Sequence, residues 1–194
     1  MALALEARAM KDDIMLGDTP KAVKRRKRLK DVKAAGRLWK HSTLADIDGL
    51  ITPEQMEDLF IFTLVRNPWD RMVSYYHWLQ VQTFQHDAVT MAQTMTFTDF
   101  AQSAQITNSF NAAPAQHYMT DATGKVRCNA YIRIEHFTKD VVSLVNHLGF
   151  DLTLDHVNAS NRRSAYQSYY CAASRAAVGQ ACADDIDRFG YSFE

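Results

Sequence analysis

Arg66 stands where an apolar run gives way to Asn67-Pro68, and Ser74 follows in the segment beyond. An anion placed at such a junction meets a guanidinium fork together with the N–H groups and positive dipole end of the coming helix. Ser74 falls outside the apolar stripe of that helix, about 10 Å along its axis at 1.5 Å per residue. An arginine side chain leaning along the helix can share one phosphate with that hydroxyl, so the chemistry of the pair is recognition of a terminal phosphomonoester. The competing reading is that Arg66 pairs with Asp70 and that Ser74 is a helix-surface serine, because surface ion pairs are common and weak.

These residues need a strand to deliver them and a helix to carry them away. Leu59-Phe60-Ile61-Phe62-Thr63-Leu64-Val65 is a β-rich apolar run of the kind buried on both faces in the centre of a sheet. Asn67 is a capping residue, Pro68 suits the first helical position, and Trp69, Met72, Val73, Tyr76 and Leu79 recur at helical spacing. Asn129 to Glu135 reads as a second strand, followed by a helix from Thr138 to Leu148 that Gly149 closes. Upstream, a short helix is expected over residues 2–10, a second over 19–35 capped by Thr19 and stopped by Gly36, a third opened by a Thr43–Asp46 capping box toward Leu50, and a short turn from Pro53. Between 83 and 128 a helix is expected near 97–104 and a hairpin at Asp121-Ala122-Thr123-Gly124. Residues 164–189 carry helical pattern up to Gly190. Strands alternating with helices predict an α/β layer fold with a parallel sheet, whose ligands gather at the carboxyl ends of strands. Arg66 is at such an end.

The whole sequence of 194 residues suits one domain over 1–194, and with 47% hydrophobic and 23% charged residues it can bury a core. Lys plus Arg and Asp plus Glu are 22 each, so no global pull toward nucleic acid or an anionic membrane exists. The asymmetry is local, with 12 basic and 7 acidic side chains in the first 50 residues. Eight of those cations lie between Lys21 and Lys33, on a helix that is either a solvated face or a surface for a polyanion or a partner protein. Cys128, Cys171 and Cys182 form no Cys-x-x-Cys pair and read as small apolar fillers in a reducing, cytoplasmic setting. The histidines show no close ligand spacing, so no metal is expected. No apolar run reaches the length of a membrane span. Trp39, Trp69 and Trp78 read as core or rim residues.

The string Phe62-Thr63-Leu64-Val65-Arg66-Asn67-Pro68-Trp69-Asp70-Arg71-Met72-Val73-Ser74-Tyr75-Tyr76 resembles the 3′-phosphate-binding motif of sulfotransferases that use 3′-phosphoadenosine-5′-phosphosulfate (PAPS), in the carbohydrate branch with its bacterial relatives. Ile132-Arg133-Ile134-Glu135-His136-Phe137 is similar to the family's strand before its last core helix. Asn158-x-Ser160, Arg162-Arg163, Tyr166, Tyr169-Tyr170, Asp185-Ile186 and Phe189-Gly190-Tyr191-x-Phe193 are similar to its closing segment. The resemblance runs in patches from about residue 38 to the C terminus, and the Arg-Asn-Pro-Trp-Asp-Arg string with its downstream serine is its most specific part.

The resemblance implies a three-layer, parallel-sheet, helix-rich fold of the P-loop nucleotide hydrolase type, and transfer of a sulfuryl group from PAPS to the hydroxyl of a small molecule or carbohydrate. It assigns Arg66 and Ser74 to the 3′-phosphate, and Arg162, Arg163 and Tyr166 to closure over the nucleotide. Lys40-His41-Ser42-Thr43 is similar to the segment that supplies a histidine near the sulfuryl group, which makes His41 the candidate base. Sulfuryl transfer, like phosphoryl transfer, spreads negative charge over non-bridging oxygens, so the protein positions, neutralises and deprotonates. The family's Lys/Gly/Ser loop for the 5′-phosphosulfate has no counterpart here, since the seven glycines never cluster and Met1 to Glu6 looks like the helix that follows such a loop. The expectation is that the loop and the first strand lie upstream of Met1 or that activity has been lost. Against the enzyme stands a non-catalytic module that binds a polyanion or partner through residues 21–33.

Overall fold

The computed structural model describes residues 1–154 and 165–194. Its elements are α1 (Ala2–Glu6), α2 (Pro20–Arg25) with a 3-10 turn over Arg26–Leu29, α3 (Pro53–Asp58), β1 (Phe62–Val65), α4 (Pro68–Gln80), α5 (Asp87–Thr94), α6 (Phe97–Gln102), α7 (Ala104–Asn111), α8 (Ala115–Tyr118), β2 (Ala130–Arg133), α9 (Phe137–Asp140), α10 (Val142–Leu148), α11 (Ala172–Ala181) and α12 (Ala183–Phe189). β1 and β2 pair in a small parallel sheet, giving a helix-rich α/β protein. The described chain divides into two compact units.

The first unit comprises Met1–Leu64, Gln116–Ile132 and His136–Val157. Its core is Ile132, Val141 and Leu144, against which Phe60, Phe62 and Leu64 pack. Those three positions alternate and so share one face of the strand. The strand is shorter than the seven-residue run: the ladder holds Phe62–Val65 alone and Leu59 is exposed, while Val65, which alternates to the face opposite Phe62 and Leu64, is buried.

Three upstream expectations also shift. The first helix ends at Glu6, short of residue 10. The basic helix stops at Leu29 rather than 35. Like charges one turn apart oppose its continuation, and its arginines reach back to the preceding loop, Arg25 to the Asp13 carbonyl at 3.2 Å and Arg28 to that of Lys11 at 2.8 Å. The Thr43–Asp46 box forms, with Thr43 N–H donating to Asp46 Oδ2 at 2.8 Å and Asp46 N–H to Thr43 Oγ1 at 3.1 Å, yet no helix follows it. The carbonyls of Asp46 and Asp48 instead accept the N–H groups of Gly36 and Ala35, both at 2.9 Å. Gly36 thus does not stop a helix; it admits a close crossing of two backbones.

The hairpin at Asp121–Gly124 is present, carrying an antiparallel bridge between Thr120 and Val126. Asp121 Oδ1 accepts from Thr123 and Lys125, and Oδ2 accepts from Arg127 Nε at 2.8 Å. Arg127 in turn meets Glu57 of α3. These bonds, that to the Thr123 side chain foremost, hold the Asp121 carboxyl below the usual carboxylate range.

The second unit comprises Val65–Ala115, Arg133–Glu135 and Asn158–Glu194, and the described part of it is helical around α4. The stripe Trp69, Met72, Val73, Tyr76 and Leu79 is buried as its spacing predicts, against residues of α5, α6, α7 and α11 that include Phe100 and Val178. Gly149 and Gly190 close α10 and α12 in left-handed backbone at φ 73° and 65°. Cys182 is a buried filler, but Cys171 is exposed, and its N–H donates to Ser174 Oγ at 3.1 Å at the start of α11.

Candidate functional site

The turn between β1 and α4 is built by Asn67. Its Oδ1 accepts the N–H groups of Trp69 at 3.1 Å and Asp70 at 3.5 Å, its carbonyl accepts that of Arg71 at 2.8 Å, and its own N–H donates to Glu135 Oε1 at 2.6 Å. Pro68 has no N–H to offer. The expectation of free N–H groups for an anion is therefore corrected, because the first turn satisfies its own donors. What the helix start presents is its dipole end and the side chains around it.

Arg66 leaves the end of β1 and leans on α4, its Nε donating to Asp70 Oδ2 at 2.7 Å. The ion pair raised as the competing reading is thus present. It also fixes a direction: Asp70 and Ser74 are one turn apart and share a helix face, so the guanidinium is held along the face that carries the Ser74 hydroxyl. Ser74 is half-buried there.

Tyr166 belongs to the same neighbourhood. It accepts from Asn67 Nδ2 at 3.4 Å and donates to the Phe193 carbonyl at 2.9 Å, while Asn67 Nδ2 also donates to the Ser192 carbonyl at 2.8 Å. Tyr170 donates to the Trp69 carbonyl at 2.8 Å, and Trp69 Nε1 donates to that of Arg175 at 3.0 Å. Burial first, then nearby carboxylates, raises the pKa of Tyr166, so its hydroxyl stays protonated and donating. Arg162 and Arg163 lie outside the described residues.

Sequence reasoning overlooked Glu135 and the hydroxyl of Tyr191 here. Besides taking the Asn67 N–H, Glu135 accepts the Tyr191 hydroxyl on Oε2 at 3.3 Å. The available signal was position: Arg66 is one residue beyond β1 and Glu135 two beyond β2, so a parallel pair delivers both to the same end of the sheet.

His41 belongs to the first unit, whereas Arg66, Ser74 and Tyr166 belong to the second. It is exposed, its ring set edge-on to Trp39 with centroids 4.8 Å apart, and the Arg37 guanidinium lies 4.9 Å from the Trp39 ring centroid. Ser42 Oγ accepts the Trp39 N–H at 2.9 Å and donates toward the Arg37 carbonyl at 2.8 Å, which folds this loop. Partial burial, then the Lys40 cation, lowers the His41 pKa, with Asp18 opposing. Lys40 Nζ itself pairs with Asp18 Oδ2 at 3.0 Å. The imidazole is therefore neutral at pH 7 and able to accept a proton.

Among the described residues no group of three or more His, Cys, Asp and Glu side chains is placed to hold a metal ion, and no helix is long and apolar enough to cross a membrane. In the basic segment Arg25, Arg26 and Arg28 bond to carbonyls or carboxylates of the preceding loop.

A parallel strand pair, a strand-turn-helix that aims an arginine along a serine-bearing helix face, and a closing segment bonded to that turn define a helix-rich α/β protein. The family model described as Sulfotransferase family matches residues 16–192, and the chain belongs to that family. Comparison with curated proteins and with solved structures finds no match. The family transfers sulfuryl groups to hydroxyl acceptors and generally takes them from PAPS.

Proposed function

We propose that this protein transfers a sulfuryl group from PAPS to a hydroxyl acceptor, with a carbohydrate as one acceptor class, and that Arg66 and Ser74 hold the 3′-phosphate of the donor. The observation that carries the reading is the Arg66–Asp70 pair, which turns the guanidinium toward the face that bears Ser74. The donor set fits the group. A guanidinium has five N–H donors, and Nε and one Nη2 hydrogen engage Asp70, so the Nη1 edge and the Ser74 hydroxyl are left to meet phosphate oxygens.

The donor supplies an activated sulfuryl group and leaves as adenosine 3′,5′-bisphosphate; the residues of this chain hold its 3′-phosphate and take up the acceptor's proton. Arg66 neutralises and orients the nucleotide; His41 is assigned as the base on the motif alone, and its imidazole, neutral at pH 7, is in the form that accepts a proton. Tyr166 contributes its ring and a fixed position, since its hydroxyl is engaged with the Phe193 carbonyl. Arg162 and Arg163 are assigned to the nucleotide on the motif alone. The three-layer, P-loop-like arrangement belongs to this same reading, as does a cytoplasmic location.

The test is calorimetry of adenosine 3′,5′-bisphosphate against AMP. The bisphosphate is expected to bind more tightly, and Arg66→Ala to weaken it by about 1.5–3 kcal/mol, the range of a hydrogen bond to a charged group, with AMP affected far less. Equal affinity for the two nucleotides in the parent protein, or an unchanged bisphosphate affinity in the variant, overturns the assignment.

A further inference from the structure

We propose that Glu135 is a positioning residue for nucleotide recognition: its carboxylate locks the peptide plane behind Arg66 and couples that plane to the closing segment of the chain. The inference rests on the reading of Arg66 as the 3′-phosphate ligand.

The peptide between Arg66 and Asn67 is a rigid plane. Holding its N–H fixes the orientation of the Arg66 carbonyl and hence the direction in which the Arg66 side chain departs. Glu135 Oε1 holds that N–H at 2.6 Å, a charge-assisted bond of the short, strong kind. Asn67 is 8% exposed, so its N–H has little water to turn to if the carboxylate is removed. The other oxygen, Oε2, accepts the Tyr191 hydroxyl at 3.3 Å. One residue on, the Ser192 carbonyl is taken by Asn67 Nδ2, and the Phe193 carbonyl by Tyr166. The final residues are thus bonded to the backbone and side chain of the same turn, and Glu135 is the charged group that joins them. Glu135 touches neither Arg66 nor Asp70 in any bond described above; its effect passes through Asn67.

A merely structural role would lower the melting temperature of a variant without changing which nucleotide it prefers. The experiment measures the ratio of Kd for AMP to Kd for adenosine 3′,5′-bisphosphate, with melting temperature, in the full chain and in Glu135→Ala, Glu135→Gln, Tyr191→Phe and Arg66→Ala. Glu135→Ala is expected to lower the ratio by about tenfold, equivalent to ~1.4 kcal/mol. Glu135→Gln keeps an oxygen for the Asn67 N–H and is expected to retain the ratio within about threefold, less than 1 kcal/mol. Tyr191→Phe leaves the charge-assisted Asn67 bond in place and is expected to retain the ratio at least as well as Glu135→Gln. A ratio unchanged in Glu135→Ala, or Glu135→Gln as impaired as Glu135→Ala, overturns the proposal. Should Glu135→Ala fail to fold, Tyr191→Phe decides: a ratio at or above that of Glu135→Gln is expected, and a ratio below it overturns the proposal. A parent ratio near one, or an Arg66→Ala variant with the parent ratio, is failure of the Arg66 assignment instead, and is told apart by those two proteins alone.

Discussion

The guanidinium of Arg66 rests on the carboxylate of Asp70, with Nε 2.7 Å and Nη2 2.6 Å from the same oxygen, Oδ2. The side chains are 27% and 17% exposed, so the pair is neither a solvated surface bridge nor a deeply buried one. It does two opposed things for an anion arriving at Arg66. It holds a flexible side chain in one direction, and it places a negative charge beside the cation that must attract the ligand.

Substitution of Asp70 separates those effects. Asp70→Asn keeps an oxygen for Arg66 Nε and removes the charge, so it is expected to tighten adenosine 3′,5′-bisphosphate binding by about three- to tenfold, on the order of 1 kcal/mol. The salt dependence should steepen as well, because the site gains a net positive charge. The same change is expected to lower stability by about 1 kcal/mol through the weakened pair and the loss of an acidic group from the first helical turn. Calorimetry at two ionic strengths with urea denaturation checks both, and weaker nucleotide binding in Asp70→Asn would contradict the charge argument.

The pH behaviour of His41 follows from its neighbours. Partial burial and the Lys40 cation hold its pKa below the ordinary value of 6.5. Its neutral form is therefore favoured in the folded protein, and the stability this contributes is present above pH 6.5 and lost as pH falls through the lowered value. The acid limb of any activity profile that depends on His41 as a base should lie below pH 6.5. Lys40→Met removes the cation and is expected to move the His41 titration upward, and Asp18→Asn, which removes the opposing carboxylate, to move it downward. Titration of the His41 ring protons by NMR reads both shifts independently of turnover. A downward move in Lys40→Met would exclude this electrostatic account.

Gly36 is a stability test of the loop ahead of His41. A Cβ at this position would lie 2.1 Å from Asp46 Oδ1 and 2.7 Å from the Asp46 Cα, and the latter is backbone that cannot swing aside. Gly36→Ala is expected to destabilise by about 1–3 kcal/mol, the scale of an overpacked site, and to broaden the His41 resonances. Gly49→Ala is a control with open space but left-handed backbone, at φ 85°, so it should cost about 1 kcal/mol from conformation alone. Equal losses at the two positions would remove the close crossing as the cause.

The strand-turn-helix around Arg66 was legible because every signal in it is local. Asn67 caps, Pro68 starts α4, and the five apolar positions of the stripe are buried at the spacing read from the sequence. The Arg66–Asp70 pair was foreseen as an alternative to an anion site, since residues one helical turn apart meet wherever the helix forms. The helix expected from Thr43 to Leu50 failed for the opposite reason. Its capping bonds formed locally, but the carbonyls of Asp46 and Asp48 were claimed by Gly36 and Ala35, a contact no window of neighbouring residues contains.

Local signals suffice for the α4 stripe and its cap, for the α/β class and, through the Arg-Asn-Pro-Trp-Asp-Arg string, for the family. Hydrophobic periodicity and short-range capping act over a turn or two of chain, and their outcome is already decided at that length. Packing in three dimensions settled that the first-turn N–H groups of α4 are occupied, that the strand before Arg66 is confined to Phe62–Val65, and that Glu135 joins Asn67 to Tyr191. Those outcomes depend on which distant donor or acceptor reaches a group first, and the competition is settled by packing in three dimensions.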